Sequence, residues 1–272
     1  YEKYWDSISP FIKFGCLKDE KFCDKMKDAV LFKDIDGKYL TLKDCVEANG
    51  GELKELDKNV APDNAEENAE EKKTTIYYVT DEIQQSQYIN MFRAQGQDAV
   101  VLKHNIDSPF ITQLEQRYQN VQFQRIDADL TDAFKEEGDE EKLKEDTETL
   151  KELFRKATGK DQLEVKVEKL KNDKVSSMIT LSEEARRMQD MMKMYSANGM
   201  GGMELPDVGQ TLVLNANNDL VQYLLANKDG EHSDMFCKQL YDLAVLANHP
   251  LKAEEMTEFV NRSNEIMMLL TK

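Results

Sequence analysis

The side chains with most to offer a partner in this chain are methionines. Six of the thirteen fall between Met188 and Met203, in the stretch SEEARRMQDMMKMYSANGMGGM. On a helix, Leu181, Ala185, Met188, Met192 and Tyr195 share one face with Met191 beside them, while Arg186, Gln189, Asp190 and Lys193 take the other. The chemistry this implies is binding, because an unbranched, polarizable thioether adapts to apolar partners of varied shape. The stripe then runs into Asn198-Gly199 and Gly201-Gly202, so it hangs on a tether instead of leading directly into another packed element. The competing expectation is that the stripe docks on its own domain.

Reactive chemistry is sparse by comparison. The four cysteines, Cys16, Cys23, Cys45 and Cys237, lack C-x-x-C spacing, and His104, His232 and His249 are too scattered to form a ligand set. Reduced, buried thiols are expected, with no metal site. DADLTD (127–132) alternates acids but lacks the glycine and terminal glutamate of a calcium loop, and reads as a solvated hinge. No phosphate-loop, zinc-protease or nucleophile-elbow motif occurs. The turn after TTIYYVT is Asp81-Glu82-Ile83, with two acids and no glycine, so a phosphate would find no close backbone amides there. No catalytic residue is expected. The residues read as a binding or assembly module.

Composition narrows the partners. The net charge is −17 over 272 residues. Residues 47–73 hold nine acids and four bases, a net −5, and residues 127–152 hold twelve acids and four bases, a net −8. Such a chain is repelled by nucleic acid and by anionic membrane surfaces. No apolar run approaches the roughly 20 residues that span a bilayer, and no signal-peptide pattern opens the chain, so a cytoplasmic protein is expected. The opening YEKYWDSISPF lacks an initiator methionine and already has helical periodicity, as an excised piece of a longer protein would.

Several elements must position these groups. Residues 1–46 read as a helical cluster, with Phe22, Cys23, Met26 and Val30 forming one stripe and TLKDCV a further short helix. Residues 49–73 combine Gly-Gly, a proline and dense charge, and read as an acidic insertion. TTIYYVT (74–80), DAVVLKH (98–104) and NVQFQRID (120–127) read as strands separated by helices over 88–95 and 108–117, which at this spacing predicts a small parallel αβα unit over 74–126. Beyond the acidic tract at 127–141, Leu143, Leu150, Phe154 and Ala157 form an amphipathic helix stopped by Gly159. QLEVKVEKL, KVSSMIT and QTLVLN read as strands. Helices over 234–247 and 252–270 close the chain, with broad apolar stripes: Phe236, Leu240, Leu243 and Ala247 on one, Met256, Phe259, Val260, Met267 and Leu270 on the other.

The succession YEKYWDSISPFIKFG, LTLKDCV, TIYYVT, VLKHNID and the two terminal helices resembles the heat shock protein 90 chaperone family in its bacterial form, nearly end to end and in order. The resemblance implies the later part of the middle domain over about residues 1–130, joined to a C-terminal dimerisation domain over 140–272. The fold class is then α/β and α+β: a helical cluster and αβα unit, followed by an α+β domain ending in a helical bundle. It further implies an ATP-driven homodimer that binds partly folded client proteins, whose ATP and Mg sites lie in family regions with no counterpart here. The chain itself would then hold no cofactor and turn over nothing. Client contacts are expected at Met188, Met191, Met192, Met194 and Tyr195, with Phe110 of the αβα unit beside them. The dimer interface is expected on the two terminal stripes. Gln87 and Ser177, where prolines are common in the family, and the long acidic insertion depart from its pattern. Two readings from other classes compete: an acidic scaffold for one fixed partner, and a nucleotide-binding enzyme domain.

Overall fold

The computed structural model describes residues 1–55, 73–128, 134–182, 187–188, 209–269 and 271. The chain divides into two compact units. The first holds the described residues of 1–82 and 96–126 together with Arg187 and Met188; the second holds those of 83–95, 127–186 and 203–272.

In the first unit, α1 (Glu2–Lys18) and α2 (Glu20–Met26) precede a hairpin of β1 (Leu31–Asp34) and β2 (Tyr39–Thr41), then α3 (Leu42–Ala48). The hairpin corrects the purely helical reading of residues 1–46. It turns at Gly37, whose φ of 88° suits glycine. The Asp34 carboxylate accepts the Asp36 and Lys38 amides at 3.0 and 2.7 Å, which fixes the turn. α3 starts at a capping box, in which the Thr41 hydroxyl accepts the Asp44 amide while the Asp44 carboxylate accepts the Thr41 amide.

β3 (Thr74–Val79), β4 (Val100–Val101) and β5 (Val121–Arg125) join the hairpin in a five-stranded sheet of order β2-β1-β4-β3-β5. β3 pairs parallel with both β4 and β5, as the βαβ spacing predicts, while β1 joins β4 antiparallel. α5 (Asp107–Arg117) connects β4 to β5. Trp5, Phe32, Ile76, Phe110, Ile111 and Phe123 are among the core residues. A buried ion pair, Lys13 to Asp107 at 2.5 Å, ties α1 to α5. The Lys13 ammonium lies 5.8 Å from the ring centres of both Phe32 and Phe110, so aromatic faces replace part of its lost hydration.

The second unit is built on a three-stranded sheet of order β6-β8-β7, from β6 (Glu164–Glu168), β7 (Ser177–Leu181) and β8 (Gln210–Asn215). β6 runs parallel to β8 and β7 antiparallel to it. α6 (Glu140–Thr158) is capped by the Asp139 carboxylate and ends at Gly159 in the left-handed conformation, and it buries Leu150, Phe154 and Ala157. α7 (Asp219–Ala226), which the sequence reading passes over, is capped by Asn218. α8 (Ser233–Leu246) and α9 (Ala253–Leu269) complete the unit. α4 (Ser86–Ala94) also belongs here: its Tyr88 hydroxyl donates to the Ile179 carbonyl at 2.6 Å, and the Phe92 ring lies 5.0 Å from that of Phe134.

The reading of DADLTD (127–132) as a solvated hinge is corrected at Asp127; residues 129–132 lie outside the described residues. Asp127 is buried, accepting from the Asn248 amide at 3.2 Å, and its carbonyl accepts from the Leu181 amide. The Glu136 amide donates to the Lys169 carbonyl at 2.8 Å and the Lys171 amide to the Phe134 carbonyl at 3.0 Å. Backbone pairing, which a charge count does not register, holds this stretch against the β6 end.

Candidate functional site

Of the methionine segment, Ser182, Arg187 and Met188 are among the described residues. Arg187 grips Glu115 of α5 with both guanidinium nitrogens, Nη1 to Oε2 at 2.6 Å and Nη2 to Oε1 at 2.8 Å, and donates to the Phe123 carbonyl at 3.1 Å. Glu115 in turn accepts the Phe123 amide at 2.6 Å. This planar, two-pronged pairing fixes orientation as well as position, which a lysine could not do. Next to this anchor, Met188 is 56% exposed. Met191, Met192, Met194 and Tyr195 lie outside the described residues.

Phe110 does not belong with them. It is 1% exposed and sits in the first unit's core beside Ile111 and Leu114. The inner face of α5 carries Asp107, Phe110, Ile111 and Leu114, spaced to point at the sheet, so a client has no access to the ring.

A second apolar surface lies on the terminal helices. α8 buries Cys237, Leu240, Tyr241, Ala244 and Val245 and leaves Leu243 exposed. Leu240 is therefore part of the unit's own core and unavailable to a partner. Phe236 and Phe259 are half-buried against that core, and Ala247 is half-buried at the end of α8. α9 differs in kind: of its 17 residues only Arg262 is buried, and Met256, Val260, Met267, Met268 and Leu269 are exposed. Leu270 lies outside the described residues.

A polar clasp holds α9 to α8. Arg262 Nε donates to Gln239 Oε1 at 2.9 Å, its Nη2 pairs with Asp242, and Gln239 Nε2 donates to Ser263 at 3.1 Å. Burial holds the Asp242 carboxyl above its ordinary range, against the pull of Arg262. The sequence reading misses both this clasp and the Arg187–Glu115 pair.

The described cysteines are poor nucleophiles. Burial pushes the Cys16, Cys45 and Cys237 thiols up to about 12, which keeps them protonated and poorly nucleophilic. Among the described residues no group of three His, Cys, Asp or Glu side chains could hold a metal ion, and no helix is long and apolar enough to cross a membrane. A cleft of about 470 Å³ is lined by Cys16, Lys18, Glu20, Glu55, Gln113 and Arg117, and one of its two cations, Arg117, is committed to Asp24 and Glu55.

The model of the Hsp90 protein family matches residues 1–272, the whole chain. The chain belongs to the Hsp90 family. Its relatives include the "Chaperone protein htpG" of Bacteroides fragilis strain YCH46, 29% identical over 243 residues that cover 86% of this chain and 33% of the relative. The "Chaperone protein HtpG" of Porphyromonas gingivalis strain ATCC 33277 is 30% identical over 235 residues, 84% of this chain and 32% of the relative. That of Helicobacter acinonychis is 25% identical over 274 residues, 98% of this chain and 39% of the relative. This Hsp90-family chain thus spans about a third of the length of the curated relatives it matches first.

Proposed function

We propose that the chain is the client-binding and self-associating part of a cytoplasmic Hsp90-family chaperone. The observation that carries this reading is α9, a helix with one buried residue and five exposed large apolar side chains. A helix gains little from propensity alone and is stabilised when its stripe is covered. A two-fold axis would cover both copies with the same residues, giving a homodimer through Leu243, Met256, Val260 and Met267, with Met268 and Leu269 added. Clients dock through the methionine segment, at Met188 and at Met191, Met192, Met194 and Tyr195, which lie outside the described residues. Burying one such side chain fully is worth roughly 1.5–3 kcal/mol, so several acting together hold a partly folded protein at micromolar affinity after ordering costs.

The chain holds no ATP site of its own on this reading. The acidic turn after β3 supports this, since Glu82 there is exposed and pairs with Lys103 at 2.6 Å, leaving carboxylates where a phosphate would need amides. ATP and Mg bind elsewhere in the longer protein. Nucleic acid and anionic membranes are disfavoured by the net charge of −17.

The test is suppression of aggregation of chemically denatured citrate synthase by the chain and by a variant carrying Met188→Ser, Met191→Ser, Met194→Ser and Tyr195→Ser. The expected result is loss of suppression with an unchanged melting temperature. A large fall in melting temperature with suppression intact would place the stripe in the domain's own core and refute the client site.

A further inference from the structure

The outer face of α1 is an apolar surface that the reading above does not use. The helix buries Trp5, Ser9, Lys13 and Cys16. Its other side carries Tyr4, Phe11 and Phe14, which are 62%, 78% and 53% exposed. Phe22 of α2 extends this surface across Gly15, where an added Cβ would meet the Phe22 ring at 2.7 Å. Large aromatic side chains grouped in water at this level mark a contact surface more often than chance exposure.

Lysines flank the aromatics, on a chain whose net charge is −17. Lys3 Nζ lies 5.6 Å from the Tyr4 ring centre and Lys18 Nζ 5.6 Å from that of Phe14. Lys21 and Lys25 are exposed on α2. Nearby acids are engaged elsewhere. Asp6 faces Lys33 at 3.9 Å and the Tyr39 hydroxyl at 3.3 Å. Asp19 accepts the Lys21 and Phe22 amides as the cap of α2, Glu20 sits in that helix's first turn where free amides offset its charge, and Asp24 pairs with Arg117. Glu2 lies about 160° round the helix from Tyr4 at 100° per residue.

We infer that this face docks an acidic, apolar peptide segment of a partner protein, one in which Leu or Phe side chains are flanked by Asp or Glu. The apolar side chains pack on Tyr4, Phe11, Phe14 and Phe22, and the carboxylates pair with Lys3 and Lys18. Aromatic anchors supply the affinity and the lysines set orientation and encounter rate. The remaining acidic surface repels such a segment, so the same net charge confines it to this face. A basic apolar segment would be drawn to the acidic tracts instead.

A fluorescein-labelled synthetic peptide alternating Leu and Phe with Asp and Glu, titrated into the 272-residue chain and read by anisotropy, tests this. Saturable binding is expected, weakened about tenfold or more by combined Phe11→Ser and Phe14→Ser. Combined Lys3→Glu and Lys18→Glu alters no buried residue and should weaken it several-fold, as should raising salt from about 0.05 to about 0.5 M. Both variants should melt like the parent. Absence of saturable binding, equal binding by the Phe variant, or tighter binding of the same peptide with Lys in place of its acids would overturn the assignment. So would self-association of the chain that Phe11→Ser and Phe14→Ser abolish, since a second copy would then occupy the face.

Discussion

Replacing Met267 and Met268 with serine is the sharpest test of the proposed dimer. The two side chains are 56% and 63% exposed, so each has somewhat more than half of its surface left for a partner. Full burial of a methionine is worth about 1.5–3 kcal/mol, and half of that is about 1 kcal/mol. A two-fold axis doubles each contribution, so two positions supply about 4 kcal/mol per dimer, equivalent to about a thousandfold in the dissociation constant. Sedimentation velocity over a wide concentration range reads this directly: the parent should be dimeric at micromolar concentration and the variant monomeric. Neither methionine belongs to the second unit's core. The folding stability of the separated chain should therefore move by no more than about 0.5 kcal/mol. Deleting the helices would be a poorer experiment, because loss of α8 removes Cys237, Leu240, Tyr241 and Ala244 from that core. A dissociation constant that shifts by less than about threefold would refute the reasoning, because the exposed stripe would then contribute nothing to association.

Three further outcomes follow from the packing. Tyr88→Phe removes the donor to the Ile179 carbonyl in a buried pair; the expected cost is about 1–2 kcal/mol, seen as a lower urea midpoint at constant slope, and an unchanged midpoint would contradict it. Arg187→Lys keeps the charge but loses the two-pronged grip on Glu115, and should lower the first unit's stability by about 1 kcal/mol, whereas a melting curve identical to the parent's would show that the geometry is immaterial. On acidification, Glu55 and Asp44 should destabilise the first unit. The hydrogen bond from Lys27, then that from Arg117, holds Glu55 below its usual range, and the Thr41 hydroxyl and amide do the same for Asp44. Groups lowered in the folded state contribute stability above their unfolded values, near 4.3 for Glu and 3.9 for Asp, and lose it as pH falls through the lower folded values. Glu55→Gln should therefore flatten part of the melting-temperature decline below about pH 4.5, and an equally steep decline would count against the assignment. Asp242 has the opposite sign: burial raises it, so its contribution is present below the unfolded value and is lost as pH rises through the raised folded one.

The sequence alone determined the features that depend on local rules. The parallel trio β3, β4 and β5 was legible because each strand is a β-branched or aromatic run separated by a helix of crossover length. Gly159 ended α6 where the apolar period stopped, because only a residue free of Cβ strain enters the left-handed conformation cheaply. Tertiary structure decided the rest. The hairpin strands are four and three residues long, too short to display a period, and formed because β4 offered β1 an edge. Leu240 lies on a stripe that the sequence identifies as apolar, but a stripe gives only a direction and not the element that covers it; the second unit's core covers Leu240, as the first unit's core covers Phe110. Asp127 looked solvated among acids and is buried because Asn248, 121 residues away, reaches its carboxylate. Long-range pairings of this kind arise only when folding brings distant backbone together, and neither charge counts nor periodicity carries that information.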